Sequence, residues 1–147
     1  MDIKVFGEKE DGREYIWRPA VYGVIFNEEK NRIAVIQADG GKYFLPGGGI
    51  ENNETHEQCL KREIVEEMGM EVEIGRYIGS AQRYFFFTKD FRHYLSEGHF
   101  YLGTLGKRLG QPIEDDHFLE WLEPNQAIGC LFHEHQSWAV KELFGGF

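Results

Sequence analysis

One stretch constrains this chain more than any other: GGGIENNETHEQCLKREIVEEMG, residues 47 to 69. Three glycines open it, and six glutamates follow with only Lys61 and Arg62 to offset them. Like charges three or four residues apart on a helix repel by a few tenths of a kcal/mol per pair, so holding them together needs a reason. The limits of a helix are written into the same stretch. Thr55 and Gln58 have the spacing of a capping box, Gly69 stands where a left-handed C-terminal cap belongs, and the residues between read as helix through Met68. At the helical pitch Glu63, Glu66 and Glu67 fall within an arc about 100° wide, and Leu60, Ile64 and Met68 fill the adjoining arc. A core stripe therefore lies beside a carboxylate stripe.

Three converging carboxylates are unfavourable by themselves, and oxygen donors of this kind suit hard divalent cations such as Mg²⁺ or Mn²⁺. Arg62, one turn before Glu66, is placed to hold a carboxylate's orientation. Taken alone, the pattern also fits a solvated acidic face, and Arg62 also fits an ordinary surface ion pair.

The rest of the chain frames this helix. A length of 147 residues suits one domain, residues 1–147, with a single core. RPAVYGVIFN (18 to 27) and NRIAVIQ (31 to 37) read as strands joined in a hairpin by a polar turn at Glu28 to Lys30, and GKYFL as a short strand broken by Pro46 and the glycines. EVEIGRYIGSAQRYFFFT and GHFYLGTL read as long strands, FLEWL as a shorter one, and NQAIGCLF and EHQSWAVKELF as helices. This order predicts an α/β (α+β) fold, an α/β/α sandwich with a mixed β-sheet between helices. A net charge of -9 argues against a nucleic-acid polymer as partner but leaves single nucleotides open. No apolar run approaches the roughly 18 residues of a membrane helix, so no membrane partner is expected. No secretory signal is visible, and Cys59 and Cys130 are too few for a disulfide framework, which makes a reducing, cytoplasmic setting the default.

Gly48, then Glu54 after five residues, then Arg62-Glu63-Ile64, Glu66-Glu67 and Gly69-Met70 after seven more, resembles the signature box of the Nudix hydrolases. That box reads G-x5-E-x7-R-E-U-x-E-E-x-G-U, with U a bulky apolar residue, and every specified position is filled over residues 48–70. Asn52-Asn53 stands where the family often has Pro-Gly, and Asn also tolerates left-handed turns. The resemblance implies a MutT-type enzyme that uses Mg²⁺ or Mn²⁺ to cleave a pyrophosphate bond in a nucleoside diphosphate linked to another group. Nucleoside triphosphates and dinucleoside polyphosphates are the expected substrates. Glu66 and Glu67 are then the principal metal ligands with the Gly47 carbonyl, Glu63 a further ligand or the general base, and Arg62 a member of the catalytic set. Gly48, Glu54 and Gly69 are structural. A nucleotide-sensing module on the same fold is the competing reading, but such modules are expected to lose box carboxylates. A homodimer stays open as the assembly state.

Outside the box the expectations are broader. The resemblance suggests an additional carboxylate from a loop before Trp121, for which Glu114, Asp115 and Asp116 are candidates and Glu97, in a turn SEGH, a weaker one. Lys42, Arg83, Arg92 and Lys107 are unranked phosphate contacts. His133 and His135 lack the spacing of a helical zinc pair. The run Tyr84 to Phe87 alternates across a strand, sending two rings to the core and leaving two able to stack on a base. The FRHY stretch, Phe91 to Tyr94, reads as a loop tip.

Overall fold

Apolar runs punctuated by Gly, Pro and Asn divide the chain into short elements, and the structure, a computed structural model, describes residues 3–113 and 116–144. In chain order the elements are β1 (Lys4–Phe6), β2 (Ile16–Ile25), β3 (Ile33–Ala38), β4 (Lys42–Phe44), β5 (Gly47–Gly49), α1 (His56–Met68), β6 (Met70–Phe87), β7 (Arg92–Arg108), β8 (Phe118–Leu122), α2 (Pro124–Cys130) and α3 (Glu134–Glu142). Among the described residues the strands form a five-stranded sheet, β1-β6-β7-β2-β5, and a three-stranded sheet, β4-β3-β8. The larger sheet is mixed: β2 runs parallel to β7 and antiparallel to β5, while β6 and β7 form a long antiparallel hairpin.

The centre of β2, AVYGVI, has no polar face, which suits a strand buried on both sides. Ala20, Tyr22 and Val24 enter one core with Ala127 of α2 and Ala139 and Val140 of α3. Val21 and Ile25 enter a second core with Cys59, Leu60, Ile64 and Met68 of α1. Helices thus cover both faces, as the sandwich reading requires. No helix among the described residues is long and apolar enough to cross a membrane.

The limits of α1 follow the local signals. Thr55 Oγ1 accepts from the Gln58 N–H at 3.1 Å, and Gln58 Oε1 accepts from the Thr55 N–H at 2.9 Å. Gly69 adopts φ 66° and donates its N–H to the Val65 carbonyl at 2.9 Å, ending the helix in a left-handed turn. Asn52 and Asn53 both take positive φ, 46° and 62°, as their tolerance for that region allows.

Four expectations are corrected. Strands β2 and β3 do not pair as a hairpin: they are joined by the bridge Phe26 to Ile33 and the Asn27 N–H bond to the Arg32 carbonyl at 3.0 Å, then continue into different sheets, because β2 already has β7 and β5 on its two edges. Glycines 47 to 49 do not merely break the chain but form β5, paired with Ala20 to Tyr22. A Cβ on Gly47 would stand 2.1 Å from the Val21 carbonyl oxygen, at a φ of 139°, so this close pairing requires glycine. Glu97 lies within β7 rather than in a turn, and of the FRHY stretch only Phe91 is at the tip, with Arg92 opening β7. Strand β1 carries no alternation long enough to be read beforehand.

Candidate functional site

The site is assembled around Arg62, whose backbone position in the middle of α1 sends its guanidinium back over the loop that precedes the helix. Its Nε and Nη2 donate to the two oxygens of Glu54 at 2.6 and 3.0 Å, a bidentate pair. Nη2 also donates to the Gly49 carbonyl at 3.0 Å, and Nη1 to Glu63 Oε1 at 3.1 Å and to both oxygens of Glu66 at 3.3 Å. One planar cation therefore ties strand β5, the loop and two α1 carboxylates together. Glu54 also accepts from the Glu51 N–H at 2.8 Å, and the Arg62 guanidinium, followed by that bond, holds its carboxyl down at about 2. Arg62 is not an incidental surface partner.

Glu63 and Glu67 are the enclosed members of the carboxylate stripe. The Glu63 side chain retains 14% of its exposure and that of Glu67 7%, whereas that of Glu66 retains 30%. Burial first, then the negative charge of Glu67, pushes the Glu63 carboxyl up to about 7 despite the lowering effect of Arg62. Glu67 Oε1 accepts from the Gly47 N–H at 2.9 Å, and its Oε2 lies 3.6 Å from Nδ1 of His117. The Gly47 contact seen here is therefore made by its N–H. Gly48 packs directly on Glu63, since a Cβ there would stand 2.6 Å from Glu63 Oε1. Among the described residues no three His, Cys, Asp or Glu side chains already stand as a ligand set. The donor chemistry nonetheless suits a hard divalent cation: adjacent carboxylates, one of them held against its ionised form by burial and then by the other's charge.

Glu67, Gly47 and Gly48 open into a cleft of about 250 Å³ that also takes in Arg18, Tyr22, Phe44, Asp116, His117 and His133. Arg18, Asp39, Phe44 and His133 continue from it into a second chamber of about 350 Å³, walled by Phe85, Phe87, Tyr94 and Phe132. Of the carboxylate stripe Glu67 alone lines the first chamber, aromatic rings wall the second, and Arg18 lines both. Cavities of roughly 300 Å³ and upward with apolar walls and a few polar groups are the usual form of a small-molecule site.

Several residues are placed otherwise than the sequence suggested. Phe85 and Phe87 line the aromatic chamber, while Tyr84 packs on Tyr15 and Phe86 on Phe91 and His93 on the opposite face, so neither pair belongs to the two main cores. Arg83 donates to the Phe132 carbonyl at 3.1 Å and to His133 Nδ1 at 2.9 Å, and Lys42 sits over the Phe132 ring at 4.5 Å. Both contact residues of the chamber wall without lining it themselves, and Arg92 and Lys107 are exposed and likewise outside the lining of either chamber. Glu97 accepts from Gln82 at 2.8 Å and contacts His99 at 3.0 Å. It takes no part in the cleft lining. Of the acidic loop, Asp116 reaches the cleft edge, and Glu114 and Asp115 lie outside the described residues. Arg18, Phe44, His117, Phe132 and His133 were missed. The available signal was slight: a lone arginine before Pro19 at the head of an apolar strand, and aromatics beside histidines.

The NUDIX domain sequence model matches residues 16–143. Among curated proteins, a MutT-like protein of Streptomyces ambofaciens is 40% identical over 60 residues, covering 41% of this chain and 39% of that one. The CTP pyrophosphohydrolase of Escherichia coli K12 is 42% identical over 43 residues, covering 29% of this chain and 32% of that one. The aligned part of the chain thus spans well under half the length of these two relatives. Among solved structures, a MutT protein from Methanosarcina mazei superimposes with a TM-score of 0.70 at 20% identity, over 90% of this chain and 96% of that one, which speaks to fold.

Proposed function

The chain belongs to the NUDIX family, and on that premise we propose that it hydrolyses a pyrophosphate bond in a nucleoside triphosphate or a dinucleoside polyphosphate, with Mg²⁺ or Mn²⁺ as cofactor, as one NUDIX domain over residues 1–147. The observation that carries this reading is the pair of chambers that share Arg18, Asp39, Phe44 and His133, one lined by Glu67, Gly47 and Gly48 and the other walled by aromatic rings. A polyphosphate at one end and a base at the other would fit such a division of charge.

Glu66 and Glu67, with the Gly47 carbonyl, are assigned to the metal. Bound there, a divalent cation would neutralise the phosphate oxygens and acidify a water. Glu63 completes that set or takes the proton of the attacking water, and its place against Gly48 confines where its carboxylate can reach. Arg62 fixes Glu63 and Glu66 from behind, and Glu54 with the Gly49 carbonyl fixes Arg62. Arg18 is assigned to a phosphate oxygen. Asp116 is the acidic-loop residue that stands at the cleft, and Glu114 and Asp115 remain candidates beside it. Cys59 and Cys130 are both free thiols, which goes with a cytoplasmic setting.

The test is a panel of nucleotides, headed by CTP and including the other nucleoside triphosphates and a dinucleoside tetraphosphate, incubated with Mg²⁺ or Mn²⁺ and resolved by chromatography. We expect phosphate-containing products from at least one member and none in EDTA. Turnover undiminished by complete chelation would refute the metal assignment, and intact substrates throughout would refute the reaction.

A further inference from the structure

His133 stands at the junction of the two chambers, and its ring is enclosed by other rings. Its centroid lies 4.9 Å from that of Phe85, 4.9 Å from Phe132 and 5.7 Å from Phe44. Its Nδ1 lies 2.9 Å from Arg83 Nη1. A guanidinium has donors and no acceptor, so Nδ1 must be the accepting nitrogen and the ring proton must sit on Nε2. Arg83 is itself held, by its bond to the Phe132 carbonyl at 3.1 Å. The tautomer is therefore set by a group that cannot reverse its role. Among the described residues Nε2 has no hydrogen-bond partner, yet it is not one of the sealed, unsatisfied atoms, and its ring lines both chambers.

A lone N–H on a ring that lines an aromatic chamber can serve as a reading device for a flat, uncharged partner. Burial, then the nearby His135 and Arg83, holds its pKa well below the usual imidazole range, which favours the neutral ring. A neutral donor is a poor anchor for phosphate, and Arg18 already supplies a cation at the same junction.

Resting on the nucleotide reading above, we propose that His133 determines base specificity: its Nε2–H, fixed as donor by Arg83 at Nδ1, hydrogen-bonds an acceptor on the edge of a base held beside Phe44, Phe85 and Phe132. The acceptor is an exocyclic carbonyl or an unprotonated ring nitrogen. Arg83 is a positioning residue that acts through His133. A donor at a fixed place discriminates strongly, because a base that presents an exocyclic amino group or a protonated ring nitrogen at that place leaves the enclosed N–H unpaired.

Calorimetric titration in EDTA with GMP, AMP, CMP, UMP and ribose 5-phosphate tests this without any hydrolysis. Wild-type protein is expected to bind at least one of the four mononucleotides more tightly than ribose 5-phosphate. His133→Phe, which keeps the ring and removes the donor, should weaken that mononucleotide by about tenfold and leave ribose 5-phosphate unchanged. His133→Gln, whose amide N–H reaches a similar place, should retain most of the preference. Equal affinities in wild type and His133→Phe, equal losses for ribose 5-phosphate, or no base-dependent binding by wild type would each overturn the proposal. If neither variant folds, ¹⁵N spectra of the wild-type histidines decide. A proton on Nδ1, or an Nε2 resonance unmoved by the tightest mononucleotide, overturns it. Base-dependent binding without turnover on the substrate panel would instead defeat the hydrolase reading alone.

Discussion

Gly48→Ala separates stability from catalysis at this site. A Cβ built on Gly48 would stand 2.6 Å from Glu63 Oε1 and 2.7 Å from its Cδ and Oε2. Ordinary contact needs about 3.5 Å, so the carboxylate must retreat by roughly 0.9 Å. The clash falls on the far end of a flexible side chain, not on backbone, and Gly48 does not adopt the left-handed φ that would strain alanine. The stability change should therefore be within about 1 kcal/mol, since the smaller conformational freedom of unfolded alanine offsets part of the strain. Catalysis should respond far more, because a displacement near 1 Å in a catalytic constellation can lower the rate by about a hundredfold. The assay is kcat/KM on the best nucleotide of the panel for wild type, Gly48→Ala, Glu63→Ala and the double variant, with urea melts on all four. If the added methyl acts through Glu63, the double variant should be no slower than Glu63→Ala. Wild-type kcat/KM in Gly48→Ala, or losses that multiply in the double variant, would refute the reasoning.

Two further outcomes are expected. Glu67→Gln should leave the metal-free protein at least as stable, because Gln still accepts from the Gly47 N–H and the charge that raises the Glu63 carboxyl is gone. It should also shrink the thermal shift given by Mg²⁺ or Mn²⁺, which scales with native-state affinity, and equal metal-induced shifts in the two proteins would refute that ligand role. Stability should fall with acidification: burial lowers His135 from 6.5 to about 3 and His133 well below 6.5, so the unfolded chain binds protons that the folded chain refuses. Their contribution is present above 6.5 and is lost as pH falls toward the folded values. His135 alone should account for about 2 kcal/mol between pH 7 and pH 5; the Glu63 carboxyl, raised to about 7, works in the opposite sense over the same range, so the urea melts are made in Glu63→Gln, and melts that agree at those two values there would refute it.

What was legible in the sequence was local. The capping residues Thr55 and Gln58, the left-handed Gly69 and the turn-forming Asn52 and Asn53 act on backbone within a few positions of themselves, so the spacing along the chain is also the spacing in space. The same holds for Arg62 and Glu66, one helical turn apart, and the box positions of Gly48 and Glu54 rest on a fixed short loop. The cleft was not legible, because its walls come from elements distant in sequence. Arg18 from β2, Phe44 from β4, Phe85 from β6, Tyr94 from β7 and His133 before α3 meet only after the strands have chosen partners. Alternation along Tyr84 to Phe87 separated the rings into two faces, but which face met a cavity was decided by the pairing of β6 with β7 and by where α3 docked. For the same reason β2 and β3 read as a hairpin from their turn alone: only the tertiary structure, by placing β7 and β5 on the edges of β2, left β3 to pair elsewhere.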